Sequence, residues 1–339
     1  MSTKRRSLLA VIVLGCLSIV MLVVASACNN KHVTRNAQTS SIKISVNSWI
    51  GWAPLYLADE KGFFNKYNVD VQLVPIEDIG TRKATMISGQ VQGYGVTLSD
   101  FALDSSQGVP GRIALLIDES YGADGIAANQ SIKTVADLKG QQIAFQAGSA
   151  SHFFLLYVLD QNGLSGKDVK QIDMDADKAG AAFTSGKIPA AVTWEPWLSK
   201  ANQVGGGHIL TTTKDVPGVI VDTLIFRNDV LSKDRAAVEG VLRGYFDALQ
   251  YWKDNPQDAV SIMAKQYKLS SDDFKSQVAG VHFLNLDNNR QYLGSAATPG
   301  KIYYNFDKAG QFWKANGIIT GEPTNAADRI DPSLIGDLK

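Results

Sequence analysis

Two tryptophans, Trp49 and Trp52, lie where a strand pattern ends and a helix pattern begins. Apolar and polar residues alternate over residues 42–46, and Pro54 suits the first turn of a helix. The two indoles are therefore expected on a loop at the carboxyl end of a strand, where open α/β sheets bind ligands. We predict that they form the apolar wall of a small-molecule site, with burial in an ordinary core as the alternative.

The same arrangement recurs later in the chain. A strand pattern at residues 190–193 is followed by Trp194, Glu195, Pro196 and Trp197, and a proline again begins a helix pattern. We predict that Trp194 forms a second wall of the ligand site and that Glu195 contacts the ligand.

Hydroxyl side chains stand at two predicted helix N-termini. Thr97 and Ser99 begin one helix, and Ser149 and Ser151 follow Gly148 at the start of another. Free backbone N–H groups and the helix dipole attract an anion or a polar group at such a position, although a serine there can also simply cap its helix. We predict that all four hydroxyls contact the ligand.

Acidic residues near the same loops predict the opposite ligand charge. Asp118, Asp124, Glu195 and Asp222 fall close to the predicted loops and crossings, and burying several carboxylates without partners is costly. No arginine lies in these loops to pair with a sulfonate, and indole faces attract cations. We therefore predict a nitrogen-bearing ligand of the amine, guanidinium or aminopyrimidine type, with an anion such as an aliphatic sulfonate, taurine or nitrate as the alternative. Tyr121, at the first predicted crossing, completes the candidate contacts.

Length and composition predict a globular protein of about two domains. The chain has 339 residues, of which 45% are apolar and 19% are charged. Lysine plus arginine equals aspartate plus glutamate, with 33 of each. This balance gives no electrostatic reason to expect nucleic acid or a polybasic membrane patch.

The amino terminus has the pattern of an export signal. Basic residues 4–6 precede an apolar run over residues 8–25, and small residues then lead to Cys28. The segment resembles a bacterial lipoprotein signal, which implies lipidation of Cys28, although Ala25 stands where the usual motif has leucine. An uncleaved anchor is the alternative because the run is about long enough to span a bilayer. We predict a signal peptide at residues 1–27 and a flexible tether at residues 28–40.

Cysteine and histidine positions argue against an enzyme or a metal site. The only cysteines are Cys16 and Cys28, both in the leader, and the four histidines have no partner at metal-ligand spacing. Ser151 and His152 are sequence neighbours, which point apart on a helix, and no G-x-S-x-G motif is present. We predict a binding protein without a cofactor. An extracytoplasmic sensory domain is the alternative class, but it would need a further span or signalling helix, and residues 323–339 contain neither.

The alternation of strand and helix patterns predicts an α/β fold with parallel sheets. The chain is expected to cross between two modules near residues 121–128 and again near residues 218–226, which makes a hinge. Four consecutive helix patterns then cover the first module, at residues 235–252, 256–266, 271–278 and 301–315.

Five segments are similar to the solute-binding proteins of bacterial ABC importers, in the branch that handles sulfonates, taurine, nitrate and thiamine-pyrimidine precursors. They are WAPLYLADEKGFF (52–64), GADGIAA (122–128), TVADLKGQQIAFQAGSASHFFLL (134–156), AAVTWEPW (190–197) and VDTLIFR (221–227).

The resemblance implies a two-lobed type II periplasmic-binding-protein fold. Each lobe would be a mainly parallel sheet flanked by helices, with lobe one at residues 41–124 plus 225–339 and lobe two at residues 125–224. It also implies capture of one small solute between the lobes and delivery to an ABC permease and its ATPase. The protein would be an extracytoplasmic monomer, anchored to the membrane through lipid on Cys28.

Overall fold

The computed structural model describes residues 39–203, 205–336 and 338. The predicted signal peptide, the predicted lipidation of Cys28 and the predicted tether as far as residue 38 lie outside the described residues. None of the helices within the described ranges is both long and apolar enough to span a membrane.

One mixed sheet has six strands. In spatial order these are β11 (Val281–Phe283), β4 (Arg112–Ser120), β10 (Val221–Phe226), β3 (Gly93–Thr97), β1 (Ser40–Val46) and β2 (Val69–Pro75). Strand β1 is parallel to β2 and β3, whereas β10 is antiparallel to β3 and β4, and β11 is antiparallel to β4. We call this sheet and its helices lobe one.

A second mixed sheet has five strands. In spatial order these are β7 (Lys170–Asp173), β6 (Gln142–Phe145), β8 (Ala190–Trp194), β5 (Asp124–Asn129) and β9 (Gly207–Thr212). Strand β6 is parallel to β7 and β8, whereas β5 is antiparallel to β8 and β9. We call this sheet and its helices lobe two.

The predicted α/β fold class with two mainly parallel sheets and two crossings is confirmed. Four of the six strands of lobe one and four of the five strands of lobe two run in one direction, and the others are antiparallel to them. The chain leaves lobe one after β4 and returns along β10, so these two neighbouring strands run in opposite directions. The predicted lobe boundary at residues 224–225 falls within β10, the whole of which belongs to the six-stranded sheet.

Helices cover both sheets. Lobe one carries α1 (Ala53–Glu60), α2 (Ile79–Ser88), α3 (Leu98–Ser106), α7 (Asn228–Lys233), α8 (Arg235–Asp254), α9 (Pro256–Gln266), α10 (Ser271–Val278), α11 (Leu286–Leu293), α12 (Lys301–Ala315) and α13 (Ser333–Gly336). Lobe two carries α4 (Ala150–Gln161), α5 (Ala176–Thr184) and α6 (Trp197–Gln203). Side-chain caps begin several of them, and Thr97, for example, accepts a hydrogen bond from the Asp100 backbone N–H at 3.1 Å.

The three central strands of the five-stranded sheet, β6, β8 and β5, are apolar along most of their length. Successive side chains point to opposite faces of a strand, so Ile126 and Ile143 pack with α4 on one face. Ala127 and Ala144 pack with α5 and α6 on the other face. Because helices cover both faces, neither alternate set of residues can be polar.

Candidate functional site

A small cavity, which we call the inner cavity, lies between the two lobes. Its free space is about 20 Å³, which is room for about one water molecule. Its lining residues come from strands of both sheets, from the loops that follow or precede these strands, and from the first turns of helices. They are Asn47, Trp49, Trp52, Arg82, Val96, Thr97, Asp100, Asp124, Gln146, Ser149, Ala150, Trp194, Ile220 and Asp222.

The first tryptophan loop is held by hydrogen bonds from both indoles. Trp52 Nε1 donates to Asn47 Oδ1 at 2.7 Å, and Trp49 Nε1 donates to Asp118 Oδ2 at 3.3 Å. A Cβ on Gly95 would lie 2.7 Å from the Trp52 ring, so only glycine leaves room for this indole against β3. The loop therefore presents two rings whose N–H groups are already used within the protein.

The second tryptophan loop differs in this respect. Trp194 ends β8 and lines the inner cavity, yet its Nε1 is buried without a hydrogen-bond partner among the described residues. A buried N–H group without a partner is costly, so this donor favours an acceptor on a bound molecule. The Glu195 side chain instead turns to α6, where it accepts hydrogen bonds from the Ser199 backbone N–H and hydroxyl at 3.0 and 2.6 Å.

The N-terminus of α4 is not the free anion site that the sequence suggests. The Ala147 N–H donates to Asp173 Oδ1 at 2.9 Å, and the Gly148 N–H donates to the His152 imidazole at 3.1 Å. The Ala150 N–H donates across the lobe interface to Asp100 Oδ2 at 2.9 Å. A carboxyl group of the protein thus lies where an anionic ligand was expected.

The remaining predicted hydroxyls have different environments. Ser149 Oγ donates to the Gln146 carbonyl at 2.8 Å while lining the inner cavity. Thr97 also lines it, and its hydroxyl lies 3.0 Å from that of Ser99, which does not. Ser151 is buried outside the lining, and its hydroxyl has no partner among the described residues.

Arg82 is a lining residue of the inner cavity that the sequence analysis did not single out. It lies on α2 and is only 3% exposed. Its Nη1 donates to the Gly95 carbonyl at 2.6 Å, and its Nε has no partner among the described residues. The sequence analysis considered arginines only in the predicted loops, whereas Arg82 comes from a helix. The available signal was helical spacing, because Arg82 shares the buried face of α2 with Ile79 and Met86.

Burial weakens the negative charge of the acidic residues. Burial raises the pKa of Asp118 to about 8, and raises the pKa of Asp100 and of Asp124 to about 7. It also raises the pKa of Asp222, which faces Asp118 across β10 and β4, well above the usual range. The raised pKa values favour the neutral forms of these carboxyl groups, so the acidic residues are a weaker argument for a cationic ligand.

The structure brings seven of the twelve candidate contacts together around the inner cavity: Trp49, Trp52, Thr97, Asp124, Ser149, Trp194 and Asp222. Asp118 lies behind this lining as the hydrogen-bond partner of Trp49. Tyr121 stacks on His282 with ring centroids 4.5 Å apart and lines no part of the cavity. Ser99, Ser151 and Glu195 also lie outside the lining. No group of His, Cys, Asp or Glu side chains within the described ranges could hold a metal ion.

Comparison with known proteins supports a common origin with bacterial binding proteins. A relative of Escherichia coli (strain K12), named "Putative aliphatic sulfonates-binding protein", is 35% identical over 140 residues, which are 41% of this chain and 44% of the relative. The aligned part thus spans less than half of that relative. A bicarbonate-binding protein, CmpA of Synechococcus, is 23% identical over 311 residues, covering 82% of this chain and 66% of that protein.

Solved structures share the fold at low sequence identity. The alkanesulfonate-binding protein SsuA from Xanthomonas axonopodis pv. citri, bound to MOPS, matches with a TM-score of 0.74 and 18% identity, covering 87% of this chain and 99% of that one. The nitrate-binding protein NrtA from Synechocystis matches with a TM-score of 0.68 and 18% identity, covering 88% and 87%. The desulfurization enzyme DSZB also matches, with a TM-score of 0.63 and 14% identity over 88% and 98%, so the fold alone does not separate binding from catalysis.

A family profile covers more than half of the chain. Residues 49–259 match the family described as NMT1/THI5 like. This range begins at the first tryptophan loop, includes the whole of lobe two and ends on α9. The chain belongs to the NMT1/THI5-like family.

Proposed function

We propose that this protein is the solute-binding component of an ABC importer and that its ligand is a small organic anion of the sulfonate type. The observation that carries the ligand class is the buried guanidinium group of Arg82 in the lining of the inner cavity. A guanidinium group suits sulfonate and carboxylate oxygens because it presents several N–H donors in one plane. This replaces the nitrogen-bearing compound as the first candidate.

Two unpartnered donors support the anion. Arg82 Nε and Trp194 Nε1 are both buried, and both belong to residues that line the cavity. They come from opposite lobes, so an oxyanion that accepts hydrogen bonds from both would hold the lobes together. The names of relatives that bind sulfonates, bicarbonate and nitrate are consistent with the same ligand charge.

One observation favours a nitrogen atom on the ligand as well. Asp124 Oδ2 is buried without a partner among the described residues, and its residue lines the cavity beside Trp194. An N–H donor on the ligand would satisfy this oxygen. A sulfonate that also carries an amine is therefore the second candidate.

The two lobes must separate to admit either ligand. About 20 Å³ of free space cannot contain a sulfonate. We propose that the two sheets with their helices are the moving bodies, and that the connections after β4 and before β10 form the hinge between them. Closure would be favoured by contacts that a ligand makes only when both lobes reach it.

The remaining parts of the proposal concern cellular context. The protein would act outside the cytoplasm as a monomer, anchored through lipid on Cys28, and would deliver its solute to a permease and an ATPase. Mass spectrometry of the membrane-extracted protein tests the anchor, because an unmodified Cys28 on an intact chain would reject lipidation.

A thermal-shift panel tests the ligand class. Ethanesulfonate, taurine, nitrate, ethylamine and guanidine are each added to the purified protein, and a ligand at 100 times its dissociation constant should stabilise the fold by about 2.7 kcal/mol. We expect the sulfonates to raise the melting temperature and ethylamine and guanidine to leave it unchanged. A response to the cations alone would contradict the proposal.

The Asp100→Asn variant determines the sign of the ligand charge. The Asp100 carboxyl group accepts the hydrogen bond of the Ala150 backbone N–H between the lobes. At pH 8 or above, where Asp100 is mostly ionised, an anion should bind this variant more tightly, by about three- to tenfold, because a nearby negative charge is removed. A cation should bind it more weakly for the same reason. Lower sulfonate affinity in Asp100→Asn would therefore count against an anion site.

A further inference from the structure

A second cavity, which we call the outer cavity, lies between α12 of lobe one and α4 of lobe two. Its volume is about 530 Å³, which is within the range of small-molecule sites. It shares no lining residue with the inner cavity. The two cavities are nevertheless close, because Thr97 lines the inner one, Ser99 lines the outer one, and their hydroxyls are 3.0 Å apart. The connection into β10 at residues 217–219 forms another part of its lining.

One side of the outer cavity is aromatic. Phe153 and Tyr157 lie one turn apart on α4, and both line the cavity with Phe312 of α12. The Phe312 ring centroid is 5.2 Å from that of Phe153 and 6.1 Å from that of Tyr157. Tyr157 and Phe312 are half-buried and offer ring surface to a flat apolar group, while Phe153 is 6% exposed and packs against Phe312.

The other side is cationic. Lys301, Asn305 and Lys308 share one face of α12 because they are spaced by three and four residues. Both lysines are exposed and form no ion pair with any residue in the described ranges. Their ammonium groups lie 3.4 and 5.2 Å from the centroids of the Tyr292 and Tyr304 rings.

The lining therefore has a net positive charge. Glu119 is the single acidic residue among the lining residues, against two lysines. An apolar wall next to two ammonium groups that form no ion pair within the described ranges complements a molecule with a flat apolar body and a negatively charged end.

We propose that the outer cavity is a second binding site, which takes an organic anion with an aromatic body, such as an aromatic sulfonate or carboxylate. The rings of Phe153, Tyr157 and Phe312 contact the body, and Lys301 and Lys308 contact the charged end. The site bridges the lobes, since α4 packs on the five-stranded sheet and α12 packs on α3. This claim does not depend on the ligand of the inner cavity.

Isothermal titration calorimetry with naphthalene-2-sulfonate tests the site on the purified protein. We expect one molecule to bind outside the inner cavity with an affinity that falls as salt is added. The double variant Lys301→Gln/Lys308→Gln should weaken this binding by about tenfold, because two charge contacts are lost. Lys265→Gln, on an exposed lysine of α9, is the matched control and should have no effect. Equal affinity in the double variant and the control would overturn the proposal.

Two further variants separate the outer cavity from the inner one. Asn305→Trp fills the outer cavity from a half-buried helix position and should abolish naphthalene-2-sulfonate binding, with circular dichroism and the melting temperature confirming the fold. Arg82→Met alters only the inner cavity and should leave this binding unchanged. Binding that survives Asn305→Trp and disappears in Arg82→Met would place the probe in the inner cavity and overturn the second site. Loss of ethanesulfonate binding in Arg82→Met would test the ligand proposed for the inner cavity and would not bear on the outer cavity.

Discussion

The two tryptophan loops look alike in sequence but differ in how their indole N–H groups are used. In the first loop, Trp49 and Trp52 donate to Asp118 and Asn47, so the rings are fixed to lobe one. In the second loop, Trp194 Nε1 has no partner among the described residues. The first loop is therefore a structural wall, whereas the second offers a donor to a ligand. Similar sequence patterns can thus separate stability from recognition.

The largest expected effect is the loss of stability when Trp52 is removed from the first tryptophan loop. Trp52 is 1% exposed and packs closely against β3 at Gly95. We expect Trp52→Ala to lower the free energy of unfolding by about 3–5 kcal/mol, because it removes a large buried side chain and leaves a cavity. Denaturant unfolding measures this loss. Trp197→Ala, at a half-buried position of the second loop, is the control, and an equal loss there would remove the distinction between the loops.

The second expected effect concerns the hydrogen bond that fixes the wall. Asn47 Oδ1 accepts hydrogen bonds from Trp52 Nε1 at 2.7 Å and from the backbone N–H of Trp49 at 3.3 Å. We expect Asn47→Leu to cost about 1–3 kcal/mol, because two buried donors lose their acceptor. The same substitution at exposed Asn65 should change stability little. Equal melting temperatures for the two variants would show that Asn47 does not hold the loop.

The anchor of Trp49 should make stability depend on pH. Burial raises the pKa of Asp118 to about 8 and raises that of Asp222 as well. Groups with raised folded-state pKa values stabilise the fold fully below their unfolded values near 4, and this contribution is lost as pH rises through the folded values.

We therefore expect the free energy of unfolding to fall by about 1–3 kcal/mol between pH 5 and pH 9. Asp222→Asn should flatten this dependence, because it removes one of the two facing carboxyl groups. Thermal unfolding across this pH range measures both slopes. Stability that rises with pH in the wild type would contradict the assignment of protonated carboxyl groups.

The smallest expected effect tests the difference between the indole N–H groups of Trp194 and Trp49. We expect Trp194→Phe to weaken ethanesulfonate binding by about five- to tenfold, because a donor to the ligand is lost, with little change in stability. Trp49→Phe should show the reverse, with a loss of stability of about 1 kcal/mol through the hydrogen bond to Asp118. Calorimetric titration and thermal unfolding of both variants provide the test. Equal losses of affinity would mean that both indoles serve the ligand in the same way.

Many of the strands and helices and the two tryptophan loops follow from local patterns, whereas β11 and α11 are not predicted. The apolar alternation before Trp49 and the prolines at the starts of the following helices are enough to locate the two loops. The direction of β10 is not predictable in this way, because it depends on how the chain returns from lobe two.

The missed parts of the site depend on contacts between distant residues. Arg82 reaches the cavity from a helix face, and its spacing with apolar residues resembles that of an ordinary buried position. Asp100 reaches the Ala150 N–H group from a position 50 residues earlier in the chain. A local pattern identifies a helix N-terminus as suitable for an anion, but it does not indicate that the protein supplies that anion itself.

The most direct test of the anion site is calorimetric titration of ethanesulfonate into the wild-type protein and into Arg82→Met and Arg112→Met. Arg112 begins β4 and does not line the inner cavity, so it is a matched control. We expect the wild type and Arg112→Met to bind one molecule with equal affinity, and Arg82→Met to bind at least tenfold more weakly through the loss of a charge-assisted contact. Unchanged affinity in a folded Arg82→Met variant would contradict the account.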